Sequence, residues 1–148
     1  MTYGNLKSLT SALLIGDNVL TQDADEMIML TDYAYDRLVK EVDVLHLYTN
    51  DGYFDMARYG MGMLGLRKPD LPGSDGDVLD IDHELGFVVA RFIASFVSRE
   101  KMMYHEQEAK RLANLYNQKV QYAVENFEQY GELAEHDESD QFGKKLYP

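Results

Sequence analysis

The chain has 148 residues, no cysteine and a formal net charge of −12, from 14 Lys and Arg against 26 Asp and Glu. At this length one domain with its own core is expected, and the lack of cysteine excludes disulfides, thiol catalysis and Cys-based zinc sites. The acidic balance argues against broad binding to nucleic acid, which needs clustered Lys and Arg. No run of about 20 apolar residues is present, so no membrane span is expected, and residues 1–17 lack the pattern of a signal peptide.

The first 50 residues predict two helices. Leucines at helical spacing place the first over residues 5–15, ending near Gly16. Asp23 and Glu26 have the spacing of a capping box and predict the start of the second helix. Apolar residues then recur on one face of this helix for about 25 residues, and the turn-forming run 50–52 ends it. They are Ile28, Tyr35, Leu38, Val42, Leu45 and Tyr48.

Residues 50–80 differ in composition from the rest of the chain. They hold six of the eleven glycines and two of the three prolines. We therefore expect a long loop here, with a short hairpin within it as an alternative. Long loops inside compact domains are usually functional or disordered rather than idle connections.

The third predicted helix begins after Asp80 or Asp82, either of which is a suitable capping residue. Its apolar residues cover a wide arc, which is typical of the central, most buried helix of a bundle. They are Leu85, Val88, Val89, Phe92, Ile93, Phe96 and Val97. A break at residues 98–101 precedes an amphipathic last helix over about 103–131, which Gly131 ends.

These elements predict an all-α fold. Residues 1–131 form a small bundle of about four helices, with the Gly/Pro-rich loop inserted at about 50–80. Residues 132–148 lose the helical periodicity and are interpreted as an extended C-terminal arm.

Several motifs match ligand-binding patterns only in part. Residues 60–65 read G-x-G-x-x-G, but no strand precedes them and prolines follow, so a tightly turned loop is favoured over a dinucleotide site. Residues 75–86 begin like a calcium loop but lack its glycine at position six and its glutamate at position twelve. The two D-x-x-H pairs, at 43–46 and 80–83, do not meet the needs of a di-iron bundle. We therefore expect no cofactor, no metal and no enzyme activity.

The loop carries both apolar and basic side chains. Apolar residues on a loop need cover, which either this chain's own helices or a partner subunit would supply. We interpret six loop residues as a candidate interaction surface, because methionine adapts well to interfaces. They are Arg58, Met61, Met63, Leu64, Arg67 and Lys68.

The arm, residues 132–148, begins with an acidic run and continues with aromatic and basic residues. A disordered terminus is one interpretation. Docking of an extended arm onto a neighbouring protein is the other, since its apolar side chains are poorly suited to pure solvent. The candidate docking residues are Phe142, Lys144, Lys145, Leu146 and Tyr147.

Residues 80–97, which read DIDHELGFVVARFIASFV, and the amphipathic helix 108–127 that follows have a distinctive pattern. With the order of elements before them (short helix, long helix, Gly/Pro loop), they resemble the head–tail connector proteins of tailed bacteriophages. This family includes adaptor or head-completion proteins and the tail accessory factors of short-tailed phages. The resemblance covers residues 5–130 as a pattern of helices and rests on no invariant signature.

The resemblance implies a small helical bundle whose copies assemble as a ring, commonly of twelve, beneath the portal protein. Such a ring extends the DNA channel and provides the surface to which tail or nozzle proteins attach. DNA passes through it without sequence-specific binding, and the arm would reach onto the portal or a neighbouring copy. The expected location is the head–tail junction of the virion, after synthesis in the host cytoplasm. The family offers no catalytic motif to carry over.

A second interpretation comes from a different class of protein. The acidic composition also suits a small helical binding or regulatory protein that sequesters a basic partner. A helical metalloenzyme is a third, which the histidine spacing disfavours. A ring favours the first interpretation, a stable 1:1 complex with a basic protein the second, and stoichiometric bound metal the third.

Overall fold

The computed structural model describes residues 1–15, 24–46 and 67–126. About 69% of these residues are helical, and none of them forms a regular strand. The predicted all-α bundle is therefore confirmed. Its four helices are α1, Tyr3–Leu13; α2, Ala24–Glu41; α3, His83–Val97; and α4, Met102–Glu125.

Helix α3 is the centre of the bundle, as its broad apolar arc predicts. Helices α1, α2 and α4 all pack against it, and small residues at Ala90 and Ala94 are buried along it. Phe96 is 37% exposed, so the buried arc narrows near the C-terminal end of the helix. The large α3 side chains that are almost fully excluded from solvent are Leu85, Val88, Val89, Phe92 and Ile93.

Helix α1 begins two residues before the predicted position because Thr2 caps it. The Thr2 Oγ1 accepts a hydrogen bond from the backbone N–H of Asn5 at 3.2 Å, which satisfies one of the free donors at the helix start. The helix ends at Leu13, close to the predicted end.

The described part of the loop is held against the start of the chain. An isolated antiparallel bridge pairs Val78 with Thr2. This bridge joins residues 67–80 of the loop to the N-terminus. It does not join two segments of the loop to each other, so it is not the short hairpin that was considered as an alternative. Residues 50–66 of the loop lie outside the described residues.

Helix α2 is shorter than its apolar spacing predicts. It has 18 residues and ends at Glu41, so the prediction of about 25 helical residues is wrong. The chain continues with Val42 and Val44 buried and Asp43 exposed between them, the alternation of an extended segment. Asn117 of α4 holds this end: its Nδ2 donates to the Glu41 carbonyl at 2.7 Å, and its Oδ1 accepts from the Asp43 N–H at 3.0 Å.

We expect the substitution N117A to destabilise the fold by about 1–2 kcal/mol, because it removes two hydrogen bonds to the backbone at the end of α2, of which the one to the Glu41 carbonyl is partly buried. Urea unfolding followed by circular dichroism measures the change. The matched control is Q118A on the exposed neighbouring position, which should stay within about 0.5 kcal/mol of the wild type. Equal losses in the two variants would contradict this account of the helix end.

Asp82 occupies the N-cap position of α3, one of the two predicted positions, but its side chain does not cap the helix. Its Oδ2 accepts a hydrogen bond from the Tyr116 hydroxyl of α4 at 2.7 Å. The expectation of an acidic side-chain cap is therefore wrong. The carboxylate links α3 to α4, and the first-turn N–H of Leu85 donates to the Asp82 carbonyl instead, at 2.9 Å.

The predicted break between α3 and α4 is present at residues 98–101. Ser98 Oγ accepts from the N–H of Lys101 at 2.9 Å and so caps the turn that leads into α4. Helix α4 then runs to Glu125, and residues 127–131 of the predicted span lie outside the described part. Its buried face consists of His105, Ala109, Ala113, Tyr116, Val120 and Ala123.

The Tyr35 side chain is fully buried in the core, and its hydroxyl has no hydrogen-bond partner among the described residues. Burial raises the pKa of this hydroxyl above its ordinary value, and the negative charge of Asp80 raises it further. We expect Y35F to be neutral or to stabilise the fold by up to about 1 kcal/mol, because it removes a desolvated group that lacks a partner.

The matched variant is Y116F, whose lost hydroxyl donates to Asp82. It should destabilise by about 1–2 kcal/mol, since hydrogen bonds to charged groups are the stronger ones. Thermal and urea unfolding of both variants test the pair. A Y35F variant as unstable as Y116F would show that the Tyr35 hydroxyl has a stabilising partner.

The carboxylate of Asp77 organises the turn that supports the N-terminus. It accepts hydrogen bonds from the Gly73 N–H at 2.7 Å and from the N–H and hydroxyl of Ser74, each at 3.0 Å. The backbone carbonyl of Asp77 accepts from the N–H of Tyr3 at 2.9 Å. The donors from Gly73 and Ser74 lower the pKa of the Asp77 carboxyl below its ordinary value of 3.8.

This lowered pKa predicts a pH dependence of stability. The contribution of Asp77 is complete above pH 3.8 and is lost as the pH falls through the lower pKa of the folded protein, because the unfolded chain takes up the proton first. We expect D77N to show a shallower loss of unfolding free energy than wild type in this acid range. Urea titrations at a series of pH values measure both slopes, and parallel curves would contradict the role of Asp77.

Candidate interaction surfaces

Two of the predicted loop residues, Arg67 and Lys68, lie in the described part of the chain. The other loop residues lie outside it: Arg58, Met61, Met63 and Leu64. The five predicted docking residues of the arm also lie outside it: Phe142, Lys144, Lys145, Leu146 and Tyr147.

Lys68 joins the loop to α2 near the start of the described part of the loop. Its Nζ lies 2.5 Å from a carboxylate oxygen of Asp32 and 3.0 Å from one of Asp36, which are one helical turn apart. Hydrogen bonds to these two carboxylates raise the pKa of the Lys68 ammonium above its ordinary value. The Arg67 side chain is 86% exposed and lies 3.6 Å from Asp70, so it is the more accessible of the two cations.

A polar cluster joins the segment after α2 to the start of α3. The His46 Nε2 lies 3.0 Å from the carbonyl oxygen of Asp80 and 3.1 Å from its Oδ1. Both are acceptors, so Nε2–H donates. The Nδ1 faces Asp82 at 3.7 Å. The structure thus brings His46 of one D-x-x-H pair against Asp80 of the other. Within the described ranges, no group of three or more His, Asp or Glu side chains is arranged to hold a metal ion.

The turn between α3 and α4 carries a surface that the sequence analysis missed. We define the corner surface as Phe96, Arg99, Lys101, Met102, Met103 and Tyr104. Its four apolar members are between 37% and 68% exposed, and Met103 is the most exposed of them. Both cations are exposed as well. The buried face of α4 starts at His105, and this register directs Met103 and Tyr104 outward, whereas Met102 shares the face of His105 and is exposed at the first residue of the helix.

An open cavity of about 220 Å³ lies between α1, α3 and α4. Leu9, Leu13 and Leu112 form apolar walls, and Arg91 and Arg111 contribute basic groups. The Arg111 guanidinium is held by Glu108, which accepts from its Nη2 at 2.7 Å. The Nη1 of Arg91 lies 2.9 Å from the Nδ1 of the buried His105. Both arginines are thus fixed by neighbouring side chains.

Comparisons with protein-family models, with curated proteins and with solved structures give no match for this chain. Among the helices described, none combines the length and apolar character needed to cross a membrane.

Proposed function

We propose that this chain is a structural subunit of a tailed-bacteriophage head–tail connector. In this role its copies form a homo-oligomeric ring, of twelve subunits, between the portal protein and the tail or nozzle proteins. The ring extends the DNA channel and provides the surface for tail attachment, at the head–tail junction of the virion. The chain is synthesised in the host cytoplasm and acts by assembly, without catalysis.

The observation that carries this proposal is the order and packing of the helices. The chain has a short α1, a longer α2, the Gly/Pro-rich segment, a central α3 and a long α4. Helix α3 contacts all three of the others. The resemblance to connector proteins rests on this order of helices and on the buried third helix with its acidic start.

The charge of the chain supports the same role. DNA must slide through a connector, and a subunit with a net charge of −12 has little tendency to hold phosphate. Most described cations are also engaged by carboxylates of their own chain. They include Lys7, Arg37, Lys68, Lys110, Arg111 and Lys119.

Native mass spectrometry of the chain, alone and mixed with the portal protein of the same phage, tests the proposal. We expect a ring-sized oligomer, formed either alone or only when the portal is present. A chain that stays monomeric in both samples would overturn the connector role. A stable 1:1 complex with a basic protein would instead support the sequestering function, and stoichiometric bound metal would support a metalloenzyme.

A further inference from the structure

The cavity between α1, α3 and α4 combines apolar walls with a positive charge. Leucine side chains of α1 and α4 form its walls, and Phe87 of α3 also lines it. Among the described residues that line it, the charged ones are Arg91, Arg111 and Glu108. Two guanidinium groups against one carboxylate leave one positive charge in excess, in a chain whose formal net charge is −12. A ligand with an anionic group beside an apolar group complements this cavity.

Arg91 is the group best placed to receive the anion. Its Nη1 lies 2.9 Å from the Nδ1 of the buried His105, and its guanidinium carbon lies 5.5 Å from the centre of the Tyr104 ring. Because a guanidinium group only donates hydrogen bonds, Nδ1 is the acceptor, and a neutral acceptor does not neutralise the charge of Arg91. Arg91 forms no ion pair with any described residue. It is therefore held in position with donors left for a ligand.

The other two charged groups of the cavity neutralise each other. Glu108 accepts hydrogen bonds from the Nε of Arg111 at 3.0 Å and from its Nη2 at 2.7 Å. A carboxylate engaged by both edges of a guanidinium repels an incoming anion less than a free carboxylate does. The excess positive charge of the cavity thus belongs to Arg91.

The size of the cavity limits the apolar part of the ligand. An apolar cavity of about 150 Å³ holds a benzene molecule, so the volume of about 220 Å³ has room for one phenyl ring with a carboxylate beside it. Phe87 supplies aromatic surface for such a ring, because its side chain lines the cavity and is still 40% exposed.

We propose that this cavity binds a small monocarboxylate that carries an apolar group of about the size of a phenyl ring. The carboxylate pairs with Arg91, and the ring lies between the leucine side chains and Phe87. This inference goes beyond the connector function and does not depend on it, since one copy of the chain supplies every residue that lines the cavity.

Titration of the isotope-labelled full-length chain with hydrocinnamate, followed by NMR of its backbone amides, tests the proposal. We expect saturable shifts centred on the residues that line the cavity, with a dissociation constant of about 1 mM or below. Two further probes separate the parts of the ligand. Hydrocinnamyl alcohol keeps the ring without the charge, and acetate keeps the charge without the ring. Each should bind at least about tenfold more weakly than hydrocinnamate.

Substitution of Arg91 tests the site of the charge. We expect R91Q to weaken hydrocinnamate binding by at least about tenfold, and R91K to retain part of the affinity because it keeps the positive charge. The matched control is R67Q, which removes one positive charge from a side chain that is 86% exposed and lies outside the cavity. It should bind hydrocinnamate as the wild type does.

Several results would overturn the proposal. They are equal binding of the acid and the alcohol, equal affinities of R91Q and R67Q, and shifts that do not saturate or that centre away from the cavity. Circular dichroism checks that R91Q retains the fold. The comparison of the acid with the alcohol uses the unaltered chain, so it tests the proposal without any substitution.

Discussion

The substitution F92A should destabilise the bundle by about 3–5 kcal/mol, the largest loss expected from any single change considered. The Phe92 side chain is fully buried in α3, at the centre of the core. The Arg37 guanidinium of α2 lies 4.9 Å from the centre of its ring, and the same guanidinium donates to Glu106 of α4 at 2.8 Å. Removing the ring leaves a cavity where α2, α3 and α4 meet. Urea unfolding monitored by helical circular dichroism measures the loss.

The matched control is F96A, one turn further along the same helix. Phe96 is 37% exposed, so this variant should lose about 1–2 kcal/mol, clearly less than F92A. Similar destabilisation by F92A and F96A would contradict the assignment of α3 as the central helix.

Deletion of residues 132–148 should leave the fold intact and abolish assembly. The described core runs from Tyr3 to Ala123, so every residue of it is retained in this variant. We expect the helical circular dichroism to be unchanged and the melting temperature to move by no more than about 2 °C. Ring formation, measured by native mass spectrometry, should be lost.

A full-length variant separates the chemistry of the arm from its length. F142A/L146A/Y147A retains every charge but removes the apolar groups proposed to dock, so it should also fail to assemble. The matched control is S139A. It changes neither the charge nor the apolar residues of the arm, so a chain carrying it should assemble normally. A deletion variant that forms rings as readily as the full chain, or that loses helical signal, would contradict the proposed division into bundle and arm.

The helices could be predicted because their positions depend on local patterns. The apolar arc of α3 and the leucine spacing of α1 are visible in the sequence, and both helices are present. The end of α2 was predicted incorrectly because it depends on Asn117, which contacts the Glu41 carbonyl from 76 residues away. The partner of Asp82 was missed for the same reason, since Tyr116 lies 34 residues further along the chain.

The candidate surfaces also depend on contacts between residues far apart in the sequence, so they could be predicted only in part. Composition identified Lys68 as a basic loop residue, but its pairing with Asp32 and Asp36 depends on where the loop meets α2. The corner surface was missed because apolar residues such as Met103 at the start of an amphipathic helix do not by themselves show whether they are buried, and Met102 is exposed although it shares the helix face of the buried His105. A local pattern gives the apolar content of a segment, whereas its exposure depends on the packing of the neighbouring helices.

The most direct measurement of the connector proposal is negative-stain electron microscopy of the full-length chain mixed with the portal protein that the proposal gives as its partner. The connector account predicts a ring of twelve copies seated on the tail-facing end of each portal particle, with a central channel left open. The same mixture prepared with the 132–148 deletion should show bare portals. Portal particles that are equally bare with the full-length chain would contradict the account.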